Sequence, residues 1–258
     1  MNKKIVRYVV VILCVVSILF ALFKVLNHSR KVDTYLAIGD YLSVSGNLKG
    51  ESINSFSSLL GDYLLEKEEI GVSNYSYAKS SVDSATLLEM ICKGAYSGKD
   101  EGLVSLIKDS KYITISVGMN DILNYIRFDS NNQKMEYDKE YIKRKLEILQ
   151  QNYFEIIEEI KELNEGVSVY LVGYYCPFTW VSEENKENVF EVFNMLNNSI
   201  KEVSEITSVY YVDISGVSKN ENMFNKHQIY LNQMGQNDVF DIFKDTYFNW
   251  KCVDNFFV

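Results

Sequence analysis

The sequence predicts a three-layer α/β/α sandwich with a mainly parallel five-stranded sheet. Two observations carry this prediction: strand-like and helix-like stretches alternate along the chain, and several strand-like stretches are apolar throughout. Alternation is typical of parallel sheets whose strands are joined by helices, and strands buried on both faces have no regular polar positions. We expect strands at 34–38, 74–78, 112–117, 167–173 and 209–214.

The strand at 112–117 has the clearest strand composition, since its sequence YITISV is rich in β-branched and aromatic residues. The first strand, 34–38, runs into Gly39 and Asp40 before the chain turns at Tyr41. The strand at 167–173 leads into the single proline of the chain. In a parallel sheet, the residues that follow such strands meet at the carboxyl edge, where ligands and catalytic groups lie in open α/β folds.

Apolar residues at helical spacing follow each strand. They recur every three or four positions, which predicts helices that cover the sheet. The longest stripe runs from Ile142 to Leu163 and stops before Gly166, a residue typical of helix C-termini. Similar stripes predict further helices near 53–64, from 84, at 189–203 and at 239–247.

A separate apolar segment precedes the predicted sandwich. After three basic residues among the first seven, the chain is almost unbroken in apolar residues from Tyr8 to Phe23. About 20 residues cross a bilayer as a helix, so this run is just long enough. We therefore predict one transmembrane anchor at 1–31 and a folded domain at 32–258. No small-x-small cleavage site follows the run, and we expect the domain to be extracytoplasmic.

The charge of the chain argues against nucleic acid as a partner. Residues 1–31 hold six lysines and arginines and no acid, which leaves 20 basic against 35 acidic residues and a formal charge of −15 on 32–258. A surface of that sign repels phosphate groups. The composition therefore predicts partners other than DNA or RNA.

Cysteine and histidine are too sparse to predict a metal centre. No CxxC pair occurs, and a zinc site needs four ligands at usable spacing. We predict no metal and no other cofactor. The sequence does not decide whether two of the three cysteines in the folded domain form a disulfide. The residues concerned are Cys14, Cys92, Cys176, Cys252, His28 and His227.

Four blocks of the sequence resemble motifs of the SGNH (GDSL) hydrolase family. They are GDYLS at 39–43, SYAKSSVDSATLLEMI from Ser76, GMND at 118–121 directly after a strand, and IYLNQMG at 229–235. The resemblance covers roughly 34–248 and implies a flavodoxin-like sandwich of the SGNH type. It also implies an esterase ancestry, since members of the family act on esters and on acetylated glycans or lipids.

The positions that the resemblance assigns to catalysis hold other residues. Tyr41 stands where the family has its nucleophilic serine, and Tyr230 stands where it has its histidine. The aspartate position holds His227, or Gln228 if the spacing is shorter by one. A phenol has a pKa near 10 and lacks a base here, so the nucleophile, the base and the orienting carboxylate are all missing.

The positions that form the oxyanion hole in the family are better preserved here than the three positions of the catalytic triad. The resemblance places Ser81 at the oxyanion-hole glycine and Asn120 at the amide donor. We expect both to line a pocket together with Asp40, Tyr41 and Tyr230. Hydrogen-bond donors without a nucleophile can bind a ligand but cannot turn it over.

These residues predict a membrane-anchored, hydrolase-like protein without hydrolase activity, which binds or scaffolds an envelope glycan, lipid or protein. The alternative is an active esterase or acetylhydrolase with rearranged residues, such as Ser43 paired with His227. A third possibility is a partner-binding protein in a membrane assembly, acting through the polar faces of its long helices. Asp40 and Asp121 are expected to support the backbone at strand ends.

Overall fold

The computed structural model describes residues 32–44, 53–94, 102–129, 134–178, 180–217, 220–224 and 229–254, together with Ser17 and Asn132. The predicted anchor at 1–31 therefore lies, apart from Ser17, outside the described residues, as do His227 and Gln228. Within the described part of the chain, no helix combines the length and the apolar character needed to cross a bilayer.

Seven strands and seven α-helices are described. The strands are β1 (Thr34–Gly39), β2 (Val72–Ala78), β3 (Ser110–Ser116), β4 (Ile126–Asp129), β5 (Lys134–Tyr137), β6 (Ser168–Val172) and β7 (Tyr210–Val212). The helices are α1 (Phe56–Glu66), α2 (Ser84–Cys92), α3 (Leu103–Asp109), α4 (Met119–Leu123), α5 (Lys139–Leu163), α6 (Glu183–Thr207) and α7 (Gln233–Asp254).

Five of the strands form one parallel sheet in the order β2-β1-β3-β6-β7. The α1 and α7 helices pack together on one face, and α2, α3, α5 and α6 pack together on the other. This is the predicted three-layer α/β/α sandwich. The central strands β1, β3 and β6 are almost fully buried, which explains why β-branched and aromatic residues predominate in their sequences.

Side-chain caps fix where several helices begin. Ser55 precedes α1 and accepts a hydrogen bond from the amide of Ser58, and Asp83 precedes α2 and accepts one from Thr86 at 2.8 Å. Asp138 does the same for α5. Such caps satisfy backbone donors that have no partner within the helix.

The last described helix, α7, also caps the amino end of α1. The side-chain oxygen of Gln236 in α7 accepts a hydrogen bond from the amide of Phe56, the first residue of α1, at 2.8 Å. Gln233 exchanges two hydrogen bonds with the backbone of Asn54 just before α1. The amino end of α1 is thus held by residues about 180 positions later in the chain.

The structure differs from the expected elements in three places. An antiparallel hairpin, β4–β5, is inserted after α4, and its strands of four residues are too short to show a clear alternation. The seven-residue α3 is likewise too short for a helical stripe. The strand expected at 209–214 is only Tyr210–Val212, because Asp213 accepts a hydrogen bond from the Ser215 amide and turns the chain.

Candidate functional site

The carboxyl edge of the sheet brings the first sequence block beside the end of β3, the strand that the third block follows. The amide of Asp40, directly after β1, donates to the carbonyl of Ser116 at the end of β3, at 2.7 Å. The hydroxyl of Tyr174, which follows β6, donates to the Asp40 carboxylate. Three neighbouring strands therefore deliver residues to one point, as the parallel topology requires.

Asp40 lies at the centre of this edge. Its side chain is fully buried, and it accepts hydrogen bonds from the Leu42 amide at 3.1 Å and from the Tyr174 hydroxyl. Burial raises the pKa of the Asp40 carboxyl to about 7, because the loss of water disfavours the charged form more than these donors favour it. Asp40 therefore changes its charge near neutral pH.

Replacement of Asp40 by asparagine should flatten the pH dependence of stability. The carboxyl ionises at a lower pH in the unfolded chain than in the folded one, so the folded state loses stability as pH rises from about 4 to about 7. Asparagine keeps an acceptor for the Leu42 amide and carries no charge. We expect the free energy of unfolding in urea to fall between pH 5 and pH 8 by about 2 kcal/mol less in Asp40→Asn than in the wild type.

Asp121 also has a raised pKa, and both proteins retain it, so only the difference between the two curves reports on Asp40. Parallel curves for the two proteins would contradict the assignment of the titration to Asp40.

Tyr41, at the predicted nucleophile position, points into the interior. Its side chain is only 4% exposed, and its ring lies edge-on against the Tyr230 ring, with 5.4 Å between the ring centres. The Tyr41 hydroxyl lies beside the Tyr175 hydroxyl but makes no hydrogen bond of good geometry among the described residues. Burial, followed by the nearby Tyr175 and Asp40, raises the pKa of Tyr41 well above its usual value. This phenol is therefore protonated at neutral pH, and a protonated phenol is a weak nucleophile.

The Asn120 amide is engaged by the backbone of the loop before α2. Its nitrogen donates to the carbonyl of Ser80 at 3.0 Å and to that of Val82 at 2.8 Å. Ser81 lies between these two acceptors and is exposed. Both amide hydrogens have protein acceptors, which corrects the expectation that Asn120 offers a free donor to a ligand.

Gly118 and Asp121 have structural contacts that account for their presence in the third block. Gly118 adopts φ 146°, a conformation that other residues rarely reach, and it opens α4. The Asp121 carboxylate accepts hydrogen bonds from the amide and the hydroxyl of Ser84 at the start of α2. Burial raises the pKa of Asp121 to about 6. Asp40 and Asp121 thus bind different partners, and no bond joins them into an acid/base pair.

Ser43, the nucleophile of the rearranged-esterase alternative, is buried. Its hydroxyl forms a hydrogen bond with the Ser116 hydroxyl at 2.7 Å, and its carbonyl accepts one from the Ser57 hydroxyl at 2.9 Å. These contacts tie the turn after β1 to β3 and α1. The hydroxyl lies inside the sandwich rather than at a surface that a substrate could reach.

Three residues of the site are missing from the sequence-based expectation. Tyr174 binds Asp40, and Tyr175, fully buried, donates from its hydroxyl to the carbonyl of Ile229 beside Tyr230. Asn197 of α6 accepts from the Tyr174 amide and donates to the Tyr174 carbonyl, both at 2.7 Å. The signal for the two tyrosines is their place directly after the strand predicted at 167–173. Asn197 has only the weaker signal of a polar residue in an apolar stripe.

The cysteines and acidic residues provide no alternative chemistry in the described residues. Cys92 is a free thiol, and burial raises the pKa of the Cys176 thiol to about 12, so its thiolate is not available at neutral pH. Over the same part of the chain, no cluster of three histidine, cysteine, aspartate or glutamate side chains is close enough to hold a metal ion.

Comparison with known proteins agrees with the four sequence blocks. A model of the family described as GDSL-like Lipase/Acylhydrolase matches residues 35–243. The uncharacterized protein YpmR of Bacillus subtilis (strain 168) is 30% identical over 122 residues, which are 46% of this chain and 41% of YpmR. The chain thus spans less than half the length of that relative.

Solved structures share the fold at low sequence identity. The lipase Lip_vut3 from a goat rumen metagenome has a TM-score of 0.64 with 18% identity, over 83% of this chain and 97% of the lipase. The esterase EstA from Pseudoalteromonas sp. has a TM-score of 0.55 with 18% identity, over 84% and 98%. The acetylxylan esterase Axe2 from Geobacillus stearothermophilus has a TM-score of 0.56 with 14% identity, over 83% and 93%.

The family match extends from β1 into α7 and includes all four blocks that carry the resemblance. The parallel five-stranded sheet and its two helical layers have the architecture of these solved esterases and lipases. The chain therefore belongs to the GDSL-like lipase/acylhydrolase family.

Proposed function

We propose that this protein is a non-hydrolytic member of its family, which uses the sandwich as a binding or scaffolding module. The observation that carries the proposal is the contact between Tyr41 and Tyr230, two phenols at the positions that the motifs assign to the serine and the histidine. A serine triad needs a reactive hydroxyl, an imidazole and a carboxylate in contact. Two adjoining rings, one of them buried, supply none of these groups.

A structural neighbour has the serine and the histidine that the proposal takes to be missing from this chain. Axe2 has been solved as catalytic mutants in which a serine or a histidine is replaced by alanine. If the equivalent roles fell to Tyr41 and Tyr230 here, the reaction would lack both its nucleophile and its base. Removal of one triad member leaves only about 10³- to 10⁴-fold catalysis over water, and the engaged Asn120 amide reduces the oxyanion contribution further.

Reactivity toward a serine-directed probe tests this proposal. We expect the purified full-length chain to show no stoichiometric labelling by a fluorophosphonate and no turnover of p-nitrophenyl acetate above the buffer rate. An active GDSL esterase serves as the positive control in the same assay. Labelling of a serine, or turnover that His227→Ala abolishes, would show that a rearranged site is active and would overturn the proposal.

The Ser43→Ala variant separates the proposal from the Ser43–His227 alternative. Ser43 is buried and bonded to Ser116, so its loss should leave labelling and turnover at the same background level as in the wild type. A drop from a measurable rate to background in Ser43→Ala would identify Ser43 as the nucleophile instead.

We further propose that residues 1–31 hold the domain at a membrane and that the domain faces an extracytoplasmic envelope, whose glycans, lipids or proteins supply the ligand. The length of the apolar run from Tyr8 to Phe23 supports the anchor. Three basic residues lie on each side of the run, so the orientation is decided by experiment. A fusion of alkaline phosphatase, which is active only outside the cytoplasm, to the end of the chain should be active in a bacterial host. An inactive phosphatase together with an active cytoplasmic reporter at the same position would contradict the orientation.

A further inference from the structure

The two longest helices leave a groove between them on the surface of the sandwich. The α5 and α6 helices run in the same direction, since Gln150 contacts Glu202 and the Lys161 ammonium contacts the Thr207 carbonyl further along both helices. Two cavities of about 300 and 250 Å³ share Glu147, Gln150 and Glu202 and so form one continuous groove. We call it the helix groove and define it by Leu146, Glu147, Phe154, Met195, Glu202 and Ile206.

The floor of the helix groove is apolar. Leu146 and Met195 line one end, and Phe154 and Ile206 line the other. Ile206 has 65% of its surface exposed, more than Phe190 at 38%, whereas most other apolar residues of the same helix are buried. The groove therefore offers apolar contact area that nothing in the described residues covers.

The walls of the helix groove are acidic. Glu147 and Glu202 line it from opposite helices, and neither has a lysine or arginine within ion-pair distance among the residues that the structure describes. Glu155 and Glu158, both exposed, continue along α5 beyond Phe154 at helical spacing. The lysine at the rim, Lys143, is paired with Glu140 of its own helix. Negative charge therefore exceeds positive charge along the apolar floor, where Glu147 and Glu202 face one lysine, Lys143, which also interacts electrostatically with Glu147.

We propose that the helix groove docks a cationic amphipathic helix of a partner protein. An apolar floor between parallel ridges takes the leucine or isoleucine face of a helix, and the glutamates on the walls attract lysine or arginine beside that face. Met195 and Ile206 are eleven positions apart, so the floor extends about 16 Å and holds about three turns of the bound helix. The formal charge of −15 on residues 32–258 favours the encounter with such a partner.

This proposal goes beyond the proposed function and does not depend on it, because the helix groove contains no residue of the Tyr41 site. An active esterase could dock the same partner, and an inactive one could leave the groove empty. The fluorophosphonate assay therefore tests only the proposed function, and the binding assay described next tests only the helix groove.

Binding of a synthetic helix tests the proposal. The probe is a fluorescein-labelled peptide of leucine and lysine about five turns long, with leucine at positions i, i+3, i+4 and i+7. Fluorescence anisotropy is measured with the full-length chain in dodecyl maltoside, and the signal from detergent alone is subtracted. A second peptide with every lysine replaced by glutamate is measured in parallel.

The variants are chosen as matched pairs. Ile206→Ser removes an exposed isoleucine of the groove, and Ile148→Ser removes one that is 51% exposed on α5 but lies outside the groove. The double variant Glu147→Gln/Glu202→Gln removes two charges from the walls, and Glu66→Gln/Glu165→Gln removes two exposed charges elsewhere. Amide hydrogen exchange with and without the lysine peptide locates the bound segment on the chain.

We expect each groove variant to weaken binding of the lysine peptide about fivefold or more, with both control variants within about twofold of the wild type. Exchange protection should appear at 143–154 and 195–206, and the glutamate peptide should not bind. The proposal is overturned if the wild type does not bind the lysine peptide, if groove and control variants weaken it equally, or if protection lies elsewhere on the domain.

Discussion

Tyr41→Ser should destabilise the protein by about 3 to 5 kcal/mol and should not create an esterase. The substitution removes a large buried ring and leaves Tyr230 without its edge-on neighbour, so a cavity opens at the carboxyl edge. The new hydroxyl gains no base, since the position that the motifs assign to the histidine is Tyr230. Urea unfolding gives the free-energy change, and p-nitrophenyl acetate hydrolysis gives the rate.

Tyr41→Phe is the matched control for this prediction. It keeps the ring and removes only the hydroxyl, which is buried and makes no hydrogen bond of good geometry among the described residues. A buried hydroxyl without such a bond costs about 1 kcal/mol or more, so Tyr41→Phe should be neutral or slightly stabilising. Robust turnover by Tyr41→Ser, or equal stability losses in the two variants, would show that Tyr41 does not fill the site as described.

Gly39→Ala should destabilise the protein by about 3 kcal/mol or more, a large part of the stability of an ordinary domain. A methyl group at Gly39 would lie 2.1 Å from the Ser116 hydroxyl oxygen and 2.8 Å from the Ser116 carbonyl oxygen. The serine side chain can rotate away, but the carbonyl belongs to the central strand β3 and accepts the hydrogen bond of the Asp40 amide. The strands β1 and β3 must therefore separate.

Gly216→Ala provides the comparison, because no atom lies within 4 Å of its added methyl group. Its free energy of unfolding should change by less than about 0.5 kcal/mol. Combining Gly39→Ala with Ser116→Ala should recover part of the loss, since one of the two close contacts disappears. A Gly39→Ala variant as stable as Gly216→Ala would mean that β1 and β3 are further apart than described.

The fold could be predicted from the sequence because its signals are local and repeated. Strands such as 112–117 are rich in β-branched and aromatic residues, and stripes such as Ile142 to Leu163 cover several helical turns, so each element can be recognised from its own sequence. The β4–β5 hairpin carries no such signal: its strands have four residues each, and contacts such as that between Phe128 and Phe178, distant in the chain, hold it in place.

The sequence could predict which residues form the site, but it could not predict the hydrogen bonds that they make. The motif spacing identifies Asp40, Tyr41, Asn120 and Tyr230, and the structure brings Tyr41 against Tyr230. The motif spacing does not reveal that the Asn120 amide donates to two loop carbonyls, because these hydrogen bonds depend on the path of the chain between β2 and α2.

Tyr174 and Tyr175 were missed for a related reason. No motif marks them, and their importance follows only from the position of β6 beside β3 in the sheet. A general rule that examines the two residues after every predicted parallel strand finds both.

The hydrogen bond between Gln236 and the Phe56 amide has a consequence for the order of events during synthesis. On the ribosome, the first helix of the sandwich emerges long before the residue that satisfies its leading amide. A nascent chain that stops short of residue 236 would expose that donor to solvent and leave this face of the sheet covered by α1 alone. Completion of this domain must therefore wait until translation has passed Gln236, and the shorter nascent chain is an incompletely folded intermediate.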